Sequence, residues 1–120
     1  MTPDGKANVL LEEANWHFHC GNIGKALDAL KKITYIDQVS REIQGYCKDL
    51  VKMIISIFTD IKKDYQTELD ALKSSEATNG CRMRGKYGLT VEKLKSHISD
   101  IENLIKSAQH FLDNIPGNSR

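Results

Sequence analysis

Between residues 36 and 72 apolar side chains return at every third or fourth position: Ile36, Val39, Ile43, Cys47, Leu50, Ile54, Ile57, Ile61, Tyr65 and Leu72, with Glu68 alone breaking the stripe. That spacing draws one face of an α-helix, and no strand-like alternation competes with it anywhere in the chain. A helix from Asp37 to Lys73 is about 55 Å long at 1.5 Å rise per residue. A helix of that length does not bury its own apolar face, so the rest of the chain has to be laid along it. The stretch Leu50 to Phe58 is apolar on more than one side, which calls for neighbours on two sides. Gly45 is a weak point in the same helix and predicts a bend or a close contact there.

The remaining segments supply those neighbours. Thr2, Pro3 and Asp4 form a helix start and Gly21 a stop, which predicts a first helix over residues 4–20, with Val9, Leu10, Ala14, His17 and Phe18 on one side. Asn22 then caps a second helix over 23–34, in which Ile23, Ala26, Leu27, Leu30 and Ile33 follow helical spacing. The connection is so short that the two helices must lie side by side and antiparallel. From Ser74 to Leu89 the pattern stops, and SSEATNG followed by CRMRGKYG reads as a polar loop. Thr90 caps a last helix to about Asn114, whose buried face runs through Leu94, Ile98, Ile101, Leu104, Ile105, Ala108, Phe111, Leu112 and Ile115, and Pro116-Gly117 ends it. The expected fold is all-α, an antiparallel bundle of about four helices with a long third helix. The length of 120 residues fits one domain with its own core.

Charge excludes a global attraction to polyanions. Seventeen Lys and Arg against sixteen Asp and Glu leave a formal charge of +1, so nucleic acid or an anionic membrane has to be held by a local patch. No stretch approaches the roughly 18 uninterrupted apolar residues of a membrane helix. The opening MTPDGKANVL lacks the basic-then-apolar order of a secretory leader. Cys20, Cys47 and Cys81 are odd in number and widely spaced, so reduced thiols are expected. These features predict an intracellular protein, cytoplasmic or nuclear, with no membrane insertion.

Few residues suggest chemistry. His17 and Cys20 stand three apart on one helical face, a spacing that metal sites favour, but two ligands do not make a site. The plainer reading packs His17 in the hairpin core and leaves His19 in solvent. No glycine-rich phosphate loop, nucleophile elbow or paired-carboxylate motif is present, and no cofactor or catalytic residue is assigned. Large aromatics outside a core anchor partner proteins, which singles out Trp16, Tyr35 and Tyr65. For Trp16 the periodicity leaves two placements open: the outer face of the hairpin, or the core beside Val9 and Cys20. The basic run Arg82, Arg84 and Lys86, flanked by glycines and Tyr87, has the composition to hold a phosphate, a nucleic-acid backbone or an acidic peptide. Against that stands the ordinary solvated loop.

Ala14, His17, Phe18, Gly21-Asn22-Ile23, Ala26, Leu30 and Ile33 together resemble a helical hairpin of the tetratricopeptide or MIT type. In those families small residues and a Gly-Asn or Gly-Asp turn let two helices pack closely. The resemblance covers residues 7–34 and stops there: no second repeat follows, and the third helix is too long for either pattern. An MIT-type likeness implies peptide binding between helices, with no binding residue carried over. Taken together, the sequence predicts a non-enzymatic helical interaction module, or a subunit of a larger assembly, that binds a protein partner through an apolar helical groove. The alternatives are an adaptor for nucleic acid or a phospholigand acting through residues 82–87, and a homo-oligomer joined through the long helix.

Overall fold

A computed structural model describes residues 2–79 and 90–116; of residues 75–79 it describes the backbone only. The described chain is all-α, a helical bundle, with no strand among the described residues. In order come α1 (Pro3–His19), α2 (Ile23–Lys31), a single 3-10 turn (Ile36–Gln38), α3 (Arg41–Asn79) and α4 (Val91–Asp113). They group into two compact units. One holds residues 1–56 and 106–120, the other residues 57–105.

The first unit is built from its turns. Thr2 caps α1 by accepting a hydrogen bond from the Gly5 amide at 3.1 Å, and Pro3 fills the first helical position, where a missing N–H costs nothing. At the far end Gly21 takes φ +84°, a left-handed conformation that favours glycine. The Asn22 amide then donates to the His17 carbonyl at 2.8 Å and the Gly21 amide to that of Phe18 at 3.1 Å. This pair of bonds is a Schellman closure, and it turns the chain back along α1 within three residues. Asn22 occupies the cap position of α2, but its side chain makes no capping bond; its carbonyl accepts from Ala26.

Three expected boundaries need correction. Helix α2 stops at Lys31 rather than residue 34, because Lys32 and Ile33 donate to carbonyls three residues back and tighten the last turn. The long helix begins at Arg41 rather than Asp37. Val39 is extended and separates it from the 3-10 turn. A 3-10 turn repeats every three residues, so Ile36 and Val39 stay on the buried side and the stripe passes through the break unmarked. At its other end α3 continues to Asn79, where a loop was expected from Ser74.

The start of α3 is held by two side chains. Ser40 accepts from the Ile43 amide at 3.3 Å, and the Ser40 amide donates to Asp4 Oδ1 of α1 at 2.9 Å. A capping box usually draws that second acceptor from the third residue of the same helix. Here that position is Ile43, and α1 supplies the carboxylate. Gln44, the one buried polar side chain among the described residues, donates through Nε2 to the carbonyls of Ile36 at 2.9 Å and Val39 at 3.1 Å. It thereby satisfies backbone groups left over where the 3-10 turn ends.

The core of this unit takes Ala7, Leu11 and Ala14 from α1, Ala26, Leu27 and Leu30 from α2, and Cys47, Leu50, Val51 and Ile54 from α3; Phe111 and Leu112 of α4 are buried too. In the second unit, residues 57–79 of α3 and 91–105 of α4 run antiparallel. Lys62 meets Glu102 at 3.9 Å and Tyr65 meets His97, so position rises on one helix as it falls on the other. Leu69, Leu72, Val91, Leu94 and Ile98 form the cluster between them, with Tyr65 packed at its edge. Gly45 proves open rather than crowded: a Cβ built there meets nothing within 4 Å.

Candidate partner-docking groove

Four large apolar side chains stand out into solvent among the described residues: Trp16 is 63% exposed, Val9 55%, Tyr46 55% and Met53 48%. All four belong to the first unit. Val9 and Trp16 are seven apart on α1, as Tyr46 and Met53 are on α3, so each pair shares a helical face across two turns.

Between the two helices runs an open groove of about 370 Å³. One wall is Asn8, Glu12 and Asn15 of α1; the other is Tyr46, Asp49 and Met53 of α3. Leu11 and Leu50, both buried, form its floor. Each wall runs over eight residues, a rise of about 10 Å, or two turns of helix. The Tyr46 hydroxyl donates to Glu42 Oε1 at 3.3 Å, which orients the ring along the wall.

The residues named from the sequence are spread apart. Trp16 lies exposed on α1 rather than in the core, and it does not line the groove. Val9, expected on the buried side, is exposed with it, and Leu11 takes the buried place. Tyr35 is half-buried in the same unit, beside a hollow of about 190 Å³ that it lines with Pro3, Lys6 and Gln38. Tyr65 is in the second unit, half-buried and stacked on His97. The basic run Arg82, Arg84 and Lys86, like Cys81, lies outside the described residues. Sequence reasoning missed Tyr46 and Met53. The signal was present as Glu42, Tyr46, Asp49 and Met53, a helical row that alternates acid and apolar residues just off the buried stripe.

Among the described residues His17 and Cys20 gather no further ligands. Cys20 is an exposed free thiol, His17 Nδ1 is buried without a hydrogen-bond partner, and His17 Nε2 lies 3.9 Å from Glu13 Oε1. Among the described residues no three His, Cys, Asp or Glu side chains converge as a metal site would require. A roomier hollow of about 500 Å³ lies where the ends of α2 and α4 approach, lined in part by Lys31, Asp37, His110 and Asn114. Its charges are of both signs, and Asn114 already holds the His110 ring at 3.2 Å. No described helix is long and apolar enough to cross a membrane. Compared with family models, curated proteins and solved structures, the chain matches none.

Proposed function

We propose that this protein is a non-enzymatic helical interaction module, or a subunit of a larger assembly, that docks a partner helix in the groove between α1 and residues 41–56 of α3. One observation carries the reading: every large apolar side chain exposed among the described residues lies on one of the two helices that form that groove. Exposed aromatic and thioether groups beside a preformed cleft are the ordinary anchors for an amphipathic helix. Met53 adds an adaptable surface, since its flexible thioether fits varied contours. The free thiols Cys20 and Cys47 accord with a reducing compartment, cytoplasmic or nuclear.

The test is capture of a protein partner by the tagged chain, with and without nuclease. Three baits are compared: wild type, Tyr46→Ala with Met53→Glu, and Arg82, Arg84 and Lys86 all changed to Ala. Retention that survives nuclease and the loop changes but is lost with the groove changes supports the module. Retention that ignores the groove changes and disappears with nuclease or the loop changes replaces it with a nucleic-acid adaptor.

A further inference from the structure

We infer that the helix this groove accepts is cationic on its flanks, a Lys- or Arg-bordered amphipathic segment; this rests on the docking reading above. The two walls each carry a carboxylate, Glu12 from α1 and Asp49 from α3, and among the described residues no Lys or Arg lines the groove. Glu42 extends the acidic row by one turn at the α3 wall, within reach of the Tyr46 hydroxyl. The nearest lysines along these helices face elsewhere. At about 100° per residue, Lys48 falls about 100° or more around α3 from each of Tyr46, Asp49 and Met53; Lys52 falls about 100° or more from Tyr46 and Met53 and about 60° from Asp49, on the side away from Leu50 and the groove floor, and Lys6 lies nearly opposite the groove on α1. In a chain whose formal charge is +1, this one-sign lining is a local feature rather than a reflection of composition.

An apolar floor bordered by carboxylates on both sides is complementary to a helix with one apolar stripe and a cation on each flank. Leucine-like side chains at three-or-four spacing cover Leu11, Leu50 and Met53, and the long stems of Lys or Arg carry their charges up to Glu12 and Asp49. Such exposed pairs add little affinity in water. Their main effects are to speed encounter and to reject acidic helices, whose carboxylates would be desolvated against like charge. The same lining repels an anionic lipid surface.

The experiment titrates the whole chain with two synthetic helical peptides of about 18 residues, long enough to cover the groove. They share one leucine stripe and differ only in having Lys or Glu on both flanks. Binding is read by calorimetry and by amide shifts, for wild type, Glu12→Gln with Asp49→Asn, and Met53→Glu, while sedimentation gives the mass of the chain alone. The expected result is that the Lys peptide binds about tenfold tighter or more than the Glu peptide. Its shifts should be confined to α1 and residues 41–56, the preference should vanish in the Glu12→Gln, Asp49→Asn variant, and Met53→Glu should weaken both peptides. Equal binding of the two peptides overturns the cationic partner and leaves the docking groove standing. Binding of neither peptide by a monomeric chain overturns the groove as a helix receptor. A dimer that Met53→Glu dissociates makes a second copy of this chain the occupant and overturns the partner proposed here.

Discussion

Tyr65 of α3 lies over His97 of α4 with ring centroids 5.7 Å apart and planes inclined by only 24°, a stack at the edge of the apolar cluster in the second unit. The contact joins residues on two antiparallel helices and so fixes their register at that level. Aromatic pairs of this kind contribute about 0.5–1.5 kcal/mol beyond the area they bury. A double-mutant cycle of Tyr65→Ala and His97→Ala, measured by urea unfolding, should return a coupling energy in that range. Additive losses would show that the two rings are neighbours without mutual stabilisation.

Gln44→Leu should cost about 1–3 kcal/mol although Leu is the more apolar side chain. The substitution keeps the volume near constant but strips the Ile36 and Val39 carbonyls of their buried donor. Equilibrium unfolding measures the loss, and hydrogen exchange should show it concentrated at residues 36–44. A stability equal to wild type would mean that water replaces the amide at both carbonyls.

Gly45→Ala should stabilise the protein by about 0.5–1 kcal/mol. Glycine in a helix interior keeps excess freedom in the unfolded chain, and here no neighbour would meet the added Cβ. Thermal unfolding is the readout, and a lowered midpoint would show that the added methyl group meets a neighbour in the folded chain.

Burial of Cys47 pushes its thiol from 9.0 up to about 11. The folded chain therefore keeps this proton in a range where the unfolded chain releases it. The resulting stability is fully present below pH 9 and is lost as pH rises from 9.0 to about 11, at most about 2–3 kcal/mol in total. Urea unfolding of wild type and Cys47→Ala across that range should show the advantage of wild type shrinking. A difference constant with pH would place the thiol in contact with solvent.

The regular parts of this fold were legible in the sequence because period and burial coincide there. Leu94, Ile98, Ile101, Ala108, Phe111 and Leu112 recur at helical spacing and are all buried. The Schellman turn was announced by Gly21. What was hidden follows from residues whose type and burial disagree. Helix α1 is buried through Ala7 and Ala14 as well as Leu11, so its packed face is marked mainly by small residues while Val9 and Trp16 point outward. In α3 the apolar stripe continues through Ile57 and Ile61, yet these are half-buried and Phe58 and Leu69 are buried instead. The inward face shifts along a helix that serves two different sets of neighbours. The groove was legible only as a possibility of the fold class, because its walls draw on helices far apart in sequence, and a single helical row does not show what stands opposite it.

The bond from the Ser40 amide to Asp4 Oδ1 spans 36 positions in sequence. Trimming the chain back to Gly5 would thus do its damage at a distance from the cut. The amide that opens α3 would lose its acceptor, and the turn next to it carries Glu42 and Tyr46. A shortened chain would keep every residue of the groove and still present one of its two walls on a loosened footing.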